Sequence, residues 1–346
     1  MDFALFSHVP WPEGSDPKQV YDDITEEFVL GEELGFKSAW MAEHHFTRYG
    51  LGAAPNVLAC HIAANTTTLR IGSAVFVSPL HIPARLAEEI ATLDVLSGGR
   101  IDVGFGRGAA SSEYNVANVP VEESQQRFQE SITMIQGLWS TTNYSFDGEH
   151  YKITNANLVP QPVQSPHPPI YIAATRTQAT RDFVAASGHP LLVGVVLDTE
   201  DAMALCHTMV DLAKAKGQNM KMGEIPFFRY FYVAETEEQA RVDSKPALDW
   251  NLDMIQWRRT FDTGSEVWDK MDDFRKARTE VPPSYDYLYK NRAFIGSPDQ
   301  IISKIKGLQD QGVEYFGCNF SFGGMPQDKV LKSMRLFAKE VMPAFK

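Results

Sequence analysis

Short apolar runs alternate with longer amphipathic stretches along almost the whole chain, and the two patterns predict strands and helices respectively. The predicted strands cover residues 3–9, 38–42, 69–75, 101–105, 169–174, 190–196, 224–233 and 314–320. The predicted helices cover residues 16–34, 54–64, 83–96, 121–138, 178–186, 199–216, 236–257, 297–311 and 327–338. Sustained β–α alternation implies a parallel sheet, and eight strand–helix units imply an α/β fold closed into a (β/α)8 TIM barrel. A doubly wound sheet is the alternative fold.

Two segments interrupt this alternation. Residues 143–168 contain Asp147-Gly148, which predicts a β-hairpin, and then a Pro-rich connection. Residues 260–290 carry many charges and two adjacent prolines, and they are too long for an ordinary loop. We expect this second segment to be a mobile lid or a disordered excursion. The expected organisation is one domain over residues 1–346 with these two insertions.

The composition excludes several classes of partner. Lys and Arg total 32 against 44 for Asp and Glu, so the formal charge of −12 argues against nucleic acid and anionic membranes. The amino terminus lacks a signal-peptide pattern, and no apolar stretch approaches the length of a bilayer. The three cysteines are far apart and form neither a disulfide framework nor a metal-ligand spacing. These features predict a cytoplasmic protein.

The second predicted strand ends at Glu43-His44-His45-Phe46. An α/β barrel places its chemistry at this end of its strands. Adjacent side chains of a strand point to opposite sides, so only one of His44 and His45 can face the barrel mouth. Either histidine could instead be structural, and Glu43 could orient an imidazole or anchor the loop. The pair lacks the His-x-x-x-His spacing of a helical zinc site, so no metal is expected.

Two other strand ends carry candidate anion sites. Arg107 lies among three closely spaced glycines, whose backbone N–H groups can form an anion nest beside the guanidinium. The glycine spacing is not that of a dinucleotide fold, and a tight turn with a surface ion pair is the alternative. Residues 171–177 run from an apolar strand through hydroxyl side chains into a helix start, which favours phosphate binding. An ordinary threonine N-cap is the alternative there.

Five segments with recognisable motifs are spread over nearly the whole chain. They are residues 35–47, 96–100, 104–108, 171–177 and 336–343. Together they resemble the bacterial luciferase family of flavin-dependent monooxygenases, in particular its catalytic subunit. The resemblance implies a two-component enzyme in which a separate flavin reductase supplies reduced FMN (FMNH2). It also implies that O2 forms a flavin C4a-hydroperoxide, which inserts one oxygen atom into a small organic acceptor. An aldehyde is the favoured acceptor class.

The resemblance also implies roles for individual residues. His44 is implied to be the catalytic residue that supports proton transfer, while His45 is left as structural. Phe46 and Glu113 are implied to be pocket residues, although a solvated loop carboxylate is the alternative for Glu113. The residues implied to bind the cofactor are Ala74, Val75, Gly106, Arg107, Gly108, Ala109, Ala174, Thr175, Arg176 and Thr177.

Within this set, Arg107 is implied to bind the flavin phosphate and residues 174–177 to form the other half of the phosphate site. Arg176 could be a second cation for the phosphate or a surface residue. Ala74-Val75 matches a pair joined by a cis peptide bond against the flavin ring, and a plain core strand is the alternative. Gly106 stands where the luciferase catalytic subunit has a reactive cysteine. This departure changes the pocket beside the ring and puts efficient light emission in doubt.

The resemblance further implies a dimer formed through helices beside Glu88, and it leaves open whether the partner is a second copy or a sister chain. Two other functions remain. One is hydride transfer from the deazaflavin F420 by an enzyme of the same barrel superfamily. The other is a non-catalytic flavin-binding subunit, against which the retention of His44 and Arg107 argues.

Overall fold

The computed structural model describes residues 1–108, 110–260 (side chains through 257) and 283–345. The strands are β1 (Asp2–Ser7), β2 (Ser38–Met41), β3 (Arg70–Val77), β4 (Ile101–Gly106), β5 (Tyr144–Asp147), β6 (Lys152–Ala156), β7 (Ile170–Ala173), β8 (Leu191–Leu192), β9 (Phe227–Val233), β10 (Ala293–Gly296) and β11 (Tyr315–Asn319). In this part of the chain nine of them form one curled sheet, in the order β10-β9-β11-β1-β2-β3-β4-β7-β8. All of its strand pairs are parallel. An isolated parallel bridge also pairs Val193, directly after β8, with Phe227 at the start of β9.

Helices alternate with the sheet strands. They are α1 (Pro17–Leu34), α2 (Pro55–Asn65), α3 (Pro83–Ser97), α4 (Ser111–Val116), α5 (Ser124–Ser140), α6 (Gln178–Ser187), α7 (Thr199–Ala215), α8 (Glu237–Thr260), α9 (Tyr285–Asn291), α10 (Pro298–Gln309) and α11 (Gln327–Leu336). The boundaries of α1 follow from its sequence. Asp16 accepts a hydrogen bond from the Lys18 N–H, Pro17 opens the first turn, and Gly35 ends the helix at φ 86°. None of the described helices has the length and apolarity that a membrane crossing requires.

One predicted strand is wrong in its extent, and β10 and α4 were not predicted. The strand predicted over residues 190–196 is only Leu191–Leu192 with one further bridge at Val193, because the chain turns away after Gly194. Strand β10 was not predicted, since its apolar run of 4 residues is too short to stand out. The helix α4 was not predicted either, because its 6 residues show no clear apolar periodicity.

The two predicted insertions have different outcomes. The hairpin is confirmed: β5 and β6 pair antiparallel, and the Gly148 N–H donates to the Tyr151 carbonyl across the turn. Glu130 of α5 accepts hydrogen bonds from the backbone N–H groups of residues 149–151, which fixes this turn on the helix. Most of the predicted lid, residues 261–282, lies outside the described residues. The part of the 260–290 segment that is described after this gap leads into α9.

The carboxyl ends of the parallel strands meet at one edge of the sheet. Strands β2, β4, β9, β10 and β11 are buried along their whole length, as expected for parallel strands covered on both faces. The residues that follow β1, β2, β4 and β7 therefore lie close together in space, although they are far apart in sequence. That edge carries the candidate site.

Candidate active site

Glu43, two residues after β2, is a buried carboxylate that holds two imidazoles. Its Oε1 lies 2.7 Å from His45 Nε2 and 2.9 Å from His81 Nε2. Its Oε2 accepts a hydrogen bond from the Val77 N–H at 3.0 Å. Burial alone would raise the pKa of Glu43, but the hydrogen bonds with His45 and His81 outweigh burial and hold the pKa below its ordinary value. The carboxylate thus ties the end of β2 to the end of β3.

His44 has a different set of neighbours from His45. Its Nδ1 lies 3.8 Å from Glu113 Oε1, and the Glu113 side chain is fully buried. The Tyr49 ring packs at 4.6 Å from the His44 ring, between centroids. Glu113 also accepts a hydrogen bond from the His45 backbone N–H at 3.2 Å. Glu113 is therefore a buried residue of α4 and not a solvated loop carboxylate.

His8 and Asn319 join this cluster from neighbouring strands. The His8 ring lies 5.8 Å from the His44 ring at an interplanar angle of 17°. Asn319 Nδ2 lies 3.3 Å from His8 Nδ1, and both residues are buried. Sequence reasoning missed His8, Tyr49 and Asn319. For His8 and Asn319 the available signal was position alone, because each lies at or just after the carboxyl end of a strand. Tyr49 lies further along the loop that follows β2.

A second cluster lies at the ends of β4 and β7. Arg107 Nη2 donates a hydrogen bond to Thr177 Oγ1 at 3.0 Å. Thr177 is the residue before α6, and its own side chain makes no capping hydrogen bond to the helix. The Tyr114 hydroxyl donates to the Arg107 carbonyl, and burial raises the pKa of Tyr114 to about 12, so this donor stays protonated. The structure thus brings together the two segments that sequence reasoning assigned to one phosphate.

The second arginine next to this cluster is Arg181, and not Arg176 as the sequence analysis considered. Arg176 is exposed, whereas the Arg181 guanidinium turns back and donates to the Thr175 carbonyl. Arg181 Nε is a buried donor without a hydrogen-bond partner among the described residues. Nothing in the local sequence distinguishes Arg181, because it lies in the interior of α6.

Gln125 of α5 was also missed. Its Oε1 accepts a hydrogen bond from Thr180 Oγ1 at 2.7 Å. Thr180 lies in the first turn of α6, which directly follows Thr177. In the described part of the chain, Gln125 Nε2 is buried without a hydrogen-bond partner. Unsatisfied buried donors are costly, so Gln125 Nε2 and Arg181 Nε are suited to an anionic or acceptor-rich group. Arg107, Arg181, Gln125 and the uncapped start of α6 together fit a phosphate.

The ends of β3 and β4 form a tight wall between the two clusters. The Ala74–Val75 peptide bond is cis, and both residues are half-buried. A Cβ atom added to Gly106 would lie 2.3 Å from Val75 Cγ2. Gly108 has φ +77°, and a Cβ atom there would lie 2.6 Å from Val77 Cγ1. These glycines allow the two strand ends to approach each other closely.

The remaining predicted residues occupy varied positions. Ala174 is buried at the end of β7, and Thr175 is half-buried beside it. Phe46 has φ 57° and is 49% exposed, which places its ring on the rim of the site. Ala109 lies outside the described residues. Among the residues that the structure describes, no cluster of His, Cys, Asp and Glu has the arrangement of a metal site.

The chain is similar to known proteins over most or all of its length. The family model described as luciferase-like monooxygenase matches residues 1–315. The oxygenase component of flavin-dependent trigonelline monooxygenase from Acinetobacter baylyi is 30% identical over 100% of this chain and 96% of its own length. The alkanal monooxygenase alpha chain of Photorhabdus luminescens is 25% identical, covering 92% of this chain and 89% of its own.

Solved structures show the same fold at lower identity. The monooxygenase RslO1 from Streptomyces bottropensis superposes with a TM-score of 0.87 at 23% identity, covering 100% of both chains. The oxygenating constituent of 3,6-diketocamphane monooxygenase from Pseudomonas putida, solved with FMN, superposes with a TM-score of 0.82 at 18% identity, covering 99% of this chain and 98% of its own. An F420-dependent secondary alcohol dehydrogenase superposes with a TM-score of 0.75 at 17% identity, covering 100% of this chain and 99% of its own. The family model matches most of the chain and the trigonelline monooxygenase relative is 30% identical over all of it, so the chain belongs to the luciferase-like monooxygenase family and is a flavin-dependent monooxygenase.

Proposed function

We propose that this chain is the oxygenase of a two-component system, which uses reduced FMN from a separate flavin reductase. With O2 as co-substrate, it inserts one oxygen atom into a small organic acceptor, for which we propose an aldehyde. The observation that carries the choice of FMN is the contact between Arg107 and Thr177 at the start of α6. It prepares a phosphate site, and FMN carries a terminal phosphate. A relative that is named an oxygenase component supports the separate reductase.

In this proposal, the phosphate of FMN binds to Arg107, Thr177 and the N–H groups at the start of α6, with Arg181 and Gln125 completing the donors. The flavin ring lies against the wall of Ala74, Val75 and Gly106. Bound reduced flavin supplies the electrons and the oxygen chemistry, while the protein supplies position and the exclusion of water. Backbone donors and fixed guanidinium groups suit this task because they need no reorganisation when the cofactor binds.

His44 holds and moves the proton at the reacting centre. Its Nδ1 lies 3.8 Å from Oε1 of the buried Glu113 side chain. His45 is bound to Glu43 instead, so it fixes the end of β2 and does not compete for this role. Phe46, on the exposed rim, contacts the acceptor as it enters.

We also infer that eight of the nine sheet strands, all except β10, close into a single-domain (β/α)8 barrel over residues 1–346. The Val193–Phe227 bridge supports closure because it links the chain after β8, at one edge of the sheet, to β9. For assembly, we propose a homodimer or heterodimer through α2 and α3. Their exposed apolar side chains near Glu88, Val57 at 71% and Ile82 at 68% exposure, support this face.

The proposal is tested first by cofactor binding. Titration of the protein with FMN, riboflavin and F420 should show the tightest binding for FMN and weaker binding for riboflavin. Preferred binding of F420 would replace the proposal with the hydride-transfer alternative.

The second test is oxygen transfer. Reduced FMN is mixed with the protein under ¹⁸O2, together with a panel of aldehydes and, as a separate arm, trigonelline. Label in the product together with faster flavin reoxidation identifies the acceptor class. Label from trigonelline alone would keep the monooxygenase and reject the aldehyde. If every acceptor fails and the flavin releases only hydrogen peroxide, the oxygenase assignment is wrong for the classes tested.

A further inference from the structure

The pairing of β3 with β4 is interrupted near the carboxyl ends of these strands. Its register shifts between Ser73 and Phe76, so Ala74 and Val75 lie opposite the single residue Gly104. An extra residue of this kind makes a β-bulge, where the regular ladder of hydrogen bonds is locally disrupted. The ladder alone therefore does not fix the position of the Ala74–Val75 bulge.

Ser73 fixes the amino-terminal side of the bulge. Its Oγ accepts a hydrogen bond from the Gly104 N–H and donates one to the Gly104 carbonyl, both at 3.0 Å. The two backbones approach closely here, because a Cβ atom added to Gly104 would lie 2.1 Å from the Ser73 carbonyl oxygen. The buried hydroxyl of Ser73 thus joins β3 to β4 at the point where their pairing is interrupted.

Glu43 fixes the carboxyl-terminal side of the bulge. Its Oε2 accepts a hydrogen bond at 3.0 Å from the N–H of Val77, two residues after Val75. The carboxylate is itself held in place, because His45 Nε2 and His81 Nε2 both lie within hydrogen-bond distance, at 2.7 and 2.9 Å from Oε1. Side-chain hydrogen bonds from two different strand ends therefore hold the bulge on both sides.

We propose that Ser73 and Glu43 are positioning residues for the flavin ring, and that they act by holding the Ala74–Val75 bulge at a fixed place in the wall. This inference rests on the proposed function, which places the ring against that wall. A wall that is free to move must be ordered when the ring binds, and this ordering lowers the affinity. The phosphate is bound by other segments, so a loosened bulge should weaken flavins with and without a phosphate equally.

The first arm of the test measures flavin affinity in Ser73→Ala and Glu43→Ala. Each variant should bind FMN and riboflavin more weakly by the same factor, about tenfold, because a hydrogen bond that orders the wall is lost. Ser78→Ala is the matched control, since Ser78 is a buried serine directly after β3. Its Oγ has no hydrogen-bond partner among the described residues, and its removal should leave both affinities unchanged.

Two further readouts separate positioning from a general loss of stability. The visible circular dichroism of bound flavin should change in Ser73→Ala and Glu43→Ala, because the ring then meets a displaced wall. A merely structural role would lower the melting temperature and leave this spectrum unchanged. Glu43→Gln should restore most of the affinity and the spectrum, because its amide oxygen can still accept the hydrogen bond from Val77.

The second arm uses the protein without flavin. Amide hydrogen exchange should be at least about tenfold faster at Gly104 in Ser73→Ala and at Val77 in Glu43→Ala, because each N–H loses its acceptor. Since this arm needs no cofactor, it tests the hold on the bulge even if the unmodified chain prefers F420. That preference would defeat the proposed function alone.

Three results would overturn the inference. One is unchanged exchange at Gly104 and Val77 in the folded variants. Another is an unchanged affinity for riboflavin in folded Ser73→Ala, and the third is a loss confined to FMN, which would indicate the phosphate site. If Glu43→Ala does not fold, Ser73→Ala still decides between these outcomes, because it removes a single hydroxyl group on the other side of the bulge.

Discussion

Gly106 lies directly against Val75. A Cβ atom added to Gly106 would be 2.3 Å from Val75 Cγ2, far inside van der Waals contact. The neighbouring pair Val77 and Gly106 holds β3 and β4 in register at this point, so the backbones cannot simply separate. Val75 is β-branched and has little rotamer freedom to move aside. The position of Val75 therefore leaves no room for a side chain at residue 106 unless one of the two strand ends shifts.

This contact predicts that Gly106→Cys destabilises the protein by about 1–3 kcal/mol, because overpacking forces the strand ends apart. The double variant Val75→Ala/Gly106→Cys should recover most of the loss, since the smaller side chain makes room for the thiol. Urea denaturation of both variants measures the difference. Val75→Ala alone is the matched control for the methyl groups removed. A Gly106→Cys protein as stable as the unmodified chain would show that the wall can adjust.

The phosphate assignment predicts different losses for two flavins. Arg107→Ala should weaken FMN binding by about 2 kcal/mol or more, because a charge-assisted hydrogen bond to the phosphate is lost. Riboflavin, which lacks the phosphate, should bind about as well as before. Arg176→Ala is the control, since Arg176 is exposed and should change neither flavin. Fluorescence titration gives all the affinities. Equal losses of FMN and riboflavin in Arg107→Ala would place the phosphate elsewhere.

The sequence predicted the alternation of strands and helices well, because each long periodic segment carries its own signal. It could not predict β10 or the short extent of β8, because runs of four residues or fewer depend on tertiary pairing. At the site, strand-end motifs indicated Arg107 and the histidine pair. Gln125 and Arg181 could not be found this way, since both lie on helices and not at strand ends. His8 could not be found either, because its partner Asn319 is 311 residues away in sequence.

Because Glu27 is buried on α1, we expect the free energy of unfolding to depend on pH. Burial raises the pKa of Glu27 to about 8, although a hydrogen bond with Ser321 opposes the shift. The folded-state pKa is above that of the unfolded chain, so the contribution of Glu27 to stability is fully present below about pH 4.5. It is lost as the pH rises through about 8, because the folded chain must then bury a charge.

Glu27→Gln should remove this dependence, since the amide cannot ionise. At pH 5 the variant should have a free energy of unfolding close to that of the unmodified chain, and at pH 9 it should be the more stable of the two. Glu33→Gln is the matched control on the exposed face of the same helix. Urea denaturation at several pH values between 5 and 9 provides the comparison. Parallel curves for Glu27→Gln and the unmodified chain would mean that Glu27 does not hold a proton in the fold.

His44 and His45 have different contacts, so we expect different effects when each of them is substituted. His44 faces Glu113, and general acid–base catalysis contributes roughly 10²–10⁴-fold to a rate. His44→Ala should therefore lower product formation by about that factor while the protein still folds and binds reduced FMN. His45→Ala removes a hydrogen bond from the buried Glu43, so it should lower the free energy of unfolding by about 1–3 kcal/mol. His45→Gln, which can still donate to Glu43, should recover part of that loss.

Turnover and melting temperature of all three variants decide which histidine has the catalytic role. Near-normal turnover in His44→Ala, or its abolition by His45→Ala in a folded protein, would give the catalytic role to the other histidine.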